Sequence, residues 1–217
     1  IEGMQGAGVA ACAKHFPGHG DTDTDSHLAL PRLPHSLQRL NDVELVPFVA
    51  AAKAGVASIM TAHVMFPALD TEEPATLSSS ILEQLLRKQL GYDGVVVSDD
   101  LEMLAVAERY PVEVLVEKGL NAGCDLFLIC HDNEKAARAI EHAHKLVESG
   151  KVPRARVEQA LARVQKLKQR YVGAPAAPSW TEAQALLRSA PHQALVDTLA
   201  GITADGPDRG ESLVDIG

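Results

Sequence analysis

The chain has 217 residues, 46% of them hydrophobic, and a formal net charge of −9 at pH 7. That is enough apolar material for a core, while the acidic balance, with no lysine/arginine cluster against it, argues against a nucleic-acid or anionic-membrane surface. No apolar run approaches the roughly 18 residues of a membrane span.

The opening, IEGMQGAGVAA, has neither an initiator methionine nor a signal-peptide pattern, so it reads as a segment of a longer protein. The first buried-strand pattern is GVAACAKHF, residues 8–16. Three more follow: VASIMTAH at 56–63, GVVVSDD at 94–100 and DLFLIC at 125–130. Each is short, rich in Val, Ile or Ala and without polar alternation, which suits parallel strands covered on both faces. Helical patterns separate them. Asn41 with Glu44 resembles a capping box ahead of VELVPFVAAAKAG, with Pro47 early in that helix and Gly55 ending it. Ser78 to Ser80 open ILEQLLRKQLG; Pro111 opens PVEVLVEKGLNAG, which ends near Gly123. NEKAARAIEHAHKLVESG and VPRARVEQALARVQKLKQRY are amphipathic at 3.6-residue spacing. From about Val172 the composition turns to a linker, VGAPAAPSW, and then to a tail with one or two weak helices. The expected organisation is therefore a unit over residues 1–172 and a linker with a partial tail over 173–217.

Strand and helix alternating at this spacing mean βαβ units and a parallel sheet. An open doubly wound sheet and a (β/α)8 barrel both fit, and both collect chemistry at the carboxyl ends of their strands. The reactive residue types fall there: Lys14 and His15, His63, and Asp99 with Asp100. Three cysteines without paired spacing, Cys12, Cys124 and Cys130, fit free buried thiols in a reducing compartment, and hence a cytoplasmic location. Cys12 and Cys130 stand in apolar runs and are expected to pack as small core residues.

The densest chemistry is KHFPGHGDTDTDSH, residues 14–27. Asp21, Asp23 and Asp25 begin like a calcium loop, but Ser26 stands where glycine is wanted and Arg32 where a bidentate glutamate is needed. His15, His19 and His27 are zinc-ligand types without zinc-motif spacing, and GHG lacks the third glycine and the helix of a dinucleotide fingerprint. No metal and no other cofactor is expected. Asp25 stands two residues from His27, and a carboxylate there can orient an imidazole and raise its basicity. In VVVSDDLEM, Asp100 reads as the N-cap of the next helix, which leaves Asp99 to face the site. A carboxylate facing a cavity beside a lysine can attack an anomeric carbon, with a second group moving the proton.

KHFPGHGDTDTDSH, then MTAHVMFPALD, then GYDGVVVSDDLEM, in this order, closely resemble family 3 glycoside hydrolases, and among them the bacterial β-N-acetylhexosaminidases that release N-acetylglucosamine from cell-wall fragments. The resemblance is strong over residues 8–110 and looser to about 171. It implies an α/β fold, the (β/α)8 TIM-type barrel, of which four units would be the C-terminal half. It implies Asp99 as the nucleophile of a retaining mechanism through a covalent glycosyl-aspartate, His27 as general acid/base and Asp25 as its partner. It places Lys14 and His15 on sugar hydroxyls, with Lys14 keeping Asp99 ionised; His63 lines the same pocket by position. The implied partner is a carbohydrate, a GlcNAc-containing glycoside or a muropeptide. The family's further sugar-binding Asp and Arg residues belong to the other half of the barrel. A family 3 β-glucosidase, a β-N-acetylglucosaminide phosphorylase and a sugar- or metal-binding module without turnover are the rival readings. The D-S-H loop favours the hexosaminidase.

Overall fold

The computed structural model describes residues 1–22, 29–172, 179–186 and 189–204. Asp25 and His27 therefore lie outside the described residues. The chain divides into two units, residues 1–173 and 174–217.

The first unit is built on four parallel strands, β1 (Cys12–Phe16), β2 (Ser58–Thr61), β3 (Val95–Asp100) and β4 (Leu126–Leu128), side by side in chain order. Ser58 pairs with Cys12 on one side and Val95 on the other, and Val97 pairs with Leu126. Five main helices connect and follow them: α1 (Val46–Lys53), α2 (Ser80–Gln89, wound in wide π-type turns), α3 (Val112–Ala122), α4 (Asn133–Glu148) and α5 (Arg154–Tyr171). In-order parallel strands joined by helices are the arrangement of a partial barrel.

The helix stops follow local chemistry. Gly55, Gly91 and Gly123 all adopt positive φ where α1, α2 and α3 end. On α3 the buried residues Val112, Leu115, Val116, Gly119 and Leu120 repeat at i, i+3, i+4, i+7 and i+8, one stripe aimed at the sheet. Gly119 is needed in that stripe: a Cβ there would stand 2.5 Å from the Phe127 ring of β4. Asp132 caps α4, its carboxylate accepting from the N–H groups of Glu134 (2.9 Å) and Lys135 (3.1 Å).

Three expectations from the sequence are corrected. The capping box at Asn41 and Glu44 does not form. Helical backbone begins earlier, where Ser36 Oγ accepts from Arg39 N (3.2 Å), and Glu44 turns back to the Arg39 guanidinium instead (2.8 Å). Pro47, which has no N–H to give, falls at the restart of the helix as α1. A reciprocal capping box does occur in the second unit, between Ser179 and Glu182, at the head of the helix Trp180–Leu186. A further helix, Ala190–Ala204, follows it.

Second, the strands are not all covered on both faces: β3 is buried at Val95, Val96, Val97 and Ser98, whereas β1 and β4 are open on one face. Ile59, Val96 and Phe127 point into the apolar layer beneath the helices, with Phe16, Phe48, Leu82 and Leu86. The alternate residues Cys12, Lys14 and Leu126 point the other way and are exposed. Third, the thiols divide accordingly. Cys12 and Cys130 are exposed, and Cys124 alone is buried, its thiol pushed by desolvation up to about 12.

At the amino ends of the strands, opposite the candidate site, the fully buried carboxylate of Asp125 accepts from Arg87, from Arg156 (3.0 Å) and from the Val96 N–H (3.0 Å), with Arg163 at 3.4 Å. These contacts tie α2 and α5 to β3 and β4. A buried charge is tolerable only when it is paired and fully hydrogen-bonded in this way.

Candidate active site

The carboxyl ends of the strands bring together groups that are far apart in the chain. Asp99, near the end of β3, is about one-fifth exposed (18%). Its Oδ1 accepts from the N–H of Asp100 at 2.9 Å, and its Oδ2 stands 3.6 Å from Nε2 of His15 on β1. Asp100 points elsewhere. Its Oδ1 accepts from Glu102 N (3.1 Å) and its Oδ2 lies 3.5 Å from His131 Nε2. The two neighbouring aspartates thus divide as strand pleating requires: one stabilises the turn after the strand, the other faces the imidazole. Asp100 serves that turn and not a helix directly, because the next helix, Leu104–Ala107, starts after Met103.

Burial lowers the pKa of His15 below the ordinary 6.5; Asp99 opposes that shift and Lys14 adds to it. The ring packs edge-on against His19, with centroids 5.6 Å apart. His19 Nδ1 in turn lies 2.9 Å from the Thr22 hydroxyl. Lys14 is exposed, and among the described residues it forms no ion pair with Asp99. His15 is the partner the structure gives that carboxylate.

His63 is corrected. It was expected to line the pocket, but the side chain is fully buried. Its Nε2 bonds the carbonyl of Asp100 (3.0 Å) and its Nδ1 the hydroxyl of Thr76 (2.8 Å). Thr76 carried no sequence signal: it stands on a short helical turn, Ala75–Leu77, and nothing in its local spacing points to the site.

Among the described residues, the ligand atoms of Asp21, His35 and Glu44 lie within 4.8 Å of one another, close enough to surround a cation. The Arg39 guanidinium already takes that role. It donates to Glu44 Oε1 (2.8 Å) and reaches Asp21 Oδ2 (3.5 Å), while His35 Nε2 contacts Asp21 at 2.8 Å. With a fixed positive charge between both carboxylates, the group is an ion-pair network that ties the end of the GHGD turn to the helical segment before α1. Gly18 allows the close approach, since a Cβ there would meet the Glu44 side chain at 2.8 Å.

Parallel strands in chain order that bring a carboxylate and an imidazole together at their carboxyl ends are the arrangement of a partial (β/α)8 barrel. The chain belongs to glycosyl hydrolase family 3: residues 1–167 match the Glycosyl hydrolase family 3 N terminal domain. It is 44% identical over 142 residues to a Beta-hexosaminidase of Alkalilimnicola ehrlichii, covering 65% of this chain and 40% of that protein. It is similar in structure to a family 3 β-N-acetylglucosaminidase of Paenibacillus sp. (TM-score 0.85, 44% identity, 92% of this chain and 38% of that one). The β-N-acetylglucosaminidase of Thermotoga maritima superposes with a TM-score of 0.70 at 38% identity, over 76% of this chain and 36% of that one. The chain thus spans well under half the length of these relatives.

Proposed function

We propose that this chain supplies the nucleophile side of the active centre of a retaining β-N-acetylhexosaminidase acting on terminal β-linked N-acetylglucosamine. The observation that carries the reading is Asp99, a partly exposed carboxylate at a strand end, aimed at His15 with 3.6 Å between Oδ2 and Nε2. The backbone N–H of Asp100 holds one oxygen of Asp99 and leaves the other for the substrate. The relatives named as Beta-hexosaminidase and β-N-acetylglucosaminidase support the sugar.

In this reading Asp99 Oδ2 attacks the anomeric carbon while the bond to the leaving oxygen breaks. His27, oriented by Asp25, gives that oxygen a proton. Water then attacks the glycosyl-aspartate from the side the leaving group occupied, His27 takes its proton, and configuration is retained. An imidazole with an ordinary pKa near 6.5 can do both near neutral pH. Lys14 and His15 hold sugar hydroxyls beside Asp99. A muropeptide fragment is the natural substrate class we favour, and a reducing, cytoplasmic setting suits three unpaired thiols.

A 2-deoxy-2-fluoro glycosyl donor tests this. The expected result is a stable adduct on the peptide carrying Asp99, and faster release of nitrophenol from the N-acetylglucosaminide than from the glucoside. An adduct on another residue, or faster glucoside turnover, overturns the reading.

A further inference from the structure

We infer that His63 is a positioning residue: a sealed imidazole that clamps the Asp100 carbonyl and thereby fixes the direction of the Asp99 carboxylate. This rests on the reading of Asp99 as the nucleophile and adds a residue that acts through it.

The argument starts from three polar side chains with no exposed surface, Thr61, His63 and Thr76. Burying three such groups is unfavourable unless each is hydrogen-bonded. Their bonds run in one direction. A carbonyl can only accept, so the 3.0 Å contact from His63 Nε2 to Asp100 O puts the ring proton on Nε2. Nδ1 is then the acceptor, and the Thr76 hydroxyl donates to it at 2.8 Å. Having given its proton there, Thr76 receives one from Thr61, 2.8 Å away. The Ala62 carbonyl, 3.1 Å from Thr76, is a longer alternative for the same proton. Burial lowers the pKa of His63, which keeps the ring in this uncharged form.

The relay starts on β2, passes through the Ala75–Leu77 turn and ends on β3. Its end point is one residue past the nucleophile. Both backbone polar groups of Asp100 are used there: its N–H bonds Asp99 Oδ1, and its carbonyl accepts from His63 and also from Met103 N (3.1 Å). Rotation of the peptides around Asp100 would break the contact that aims Asp99. Since misplacement of about 1 Å can cost about 100-fold in rate, a clamp here acts on turnover more than on binding. With both nitrogens engaged inside the protein, the ring has none left for a sugar hydroxyl or for proton transfer.

The test compares His63→Leu and His63→Gln in the complete polypeptide, with Asp99→Ala in parallel. Gln sets an amide N–H where Nε2–H stands; Leu fills the space and donates nothing. The expected result is kcat lowered about 10- to 100-fold in the Leu variant with KM within about twofold. Gln should recover most of kcat, and its kcat/KM profile should keep the parent's pH limbs. Unchanged kcat in a folded Leu variant overturns the clamp, as does a Gln variant with raised KM or shifted limbs, which would mark a ligand or a proton carrier. Should the Leu variant fail to fold, Thr76→Val removes the hydroxyl that holds Nδ1. Its kcat is expected about 3- to 10-fold down at unchanged KM, and a folded variant at parental kcat overturns the clamp. An active Asp99→Ala would instead overturn the reading of the nucleophile, so the two failures are distinct.

Discussion

His15 Nε2 and Asp99 Oδ2 face each other across 3.6 Å although they come from the first and third strands of the sheet. β2 lies between those strands, and its last residue, Thr61, pairs with Phe16, so the two side chains meet by reaching across the end of β2. The imidazole is half-buried and holds its proton more weakly than usual, so near neutral pH it faces Asp99 as a polar neighbour more than as a counter-charge. Under the function proposed above, that leaves the carboxylate to attack carbon while the ring donates to a hydroxyl of the same sugar.

Replacing Asp99 by alanine is therefore expected to lower kcat at least about 10³-fold, since among the described residues no other carboxylate faces His15. Asp100 cannot substitute, being held by Glu102 N and turned toward His131. Steady-state rates on nitrophenyl N-acetylglucosaminide check this. An Asp100→Ala variant with the larger loss would reverse the two roles.

Stability is expected to fall in mild acid. His63 and His15 both hold their protons more weakly in the fold than the ordinary 6.5, with Asp99, Asp100, His19 and Lys14 as the charged or titratable groups around them. Below about pH 6.5 the unfolded chain binds protons that the folded chain refuses, so unfolding is favoured as pH drops; above it the contribution is complete. Urea midpoints at pH 7.5, 6.5 and 5.5 should decline in that order. In His63→Gln the decline should be shallower, and an equally steep one would place the acid sensitivity elsewhere.

Asp125 is expected to matter for folding alone. Removing its carboxylate in Asp125→Ala leaves the buried Arg87 and Arg156 uncompensated, at about 3–5 kcal/mol. Denaturant titration measures the loss. Where folded protein is recovered, turnover per folded molecule should match the parent, since the residue is at the far end of the strands.

Gly119→Ala tests the packing of α3 on β4. Helix propensity alone would favour alanine by about 1 kcal/mol. The 2.5 Å approach to Phe127 reverses the sign, with a net loss of about 1–3 kcal/mol as the ring is forced aside. Thermal unfolding decides it, and a raised Tm would mean that the ring moves freely.

Much of the fold was legible because its signals are local. An apolar run too short for a helix, a glycine at positive φ and a stripe repeating at i, i+3, i+4 each report on neighbours a few residues away. For this reason β1 to β4 and α2 to α5 stand close to where the letters put them. The split between Asp99 and Asp100 was legible from local chemistry, although the helix cap expected of Asp100 proves to be a bond to Glu102 N in the turn before that helix. The errors came where the deciding partner is remote or competes. Glu44 has a capping geometry in sequence, yet Arg39 offers a charge-assisted bond that is stronger than a cap. Cys12 looks like a core residue in an apolar run, and only the sheet decides which of its faces the helices cover.

The amino-acid sequence by itself determined the order of strands and helices, the family and the carboxylate at the end of β3, because pattern, caps and three ordered motifs are properties of consecutive residues. Tertiary structure decided that His15, and not Lys14, stands against Asp99, and that His63 serves from beneath the site without lining it. Those outcomes depend on which strand ends lie side by side and on where a hydroxyl such as Thr76 meets an imaginary line drawn between them, and no spacing along the chain encodes a distance across the sheet.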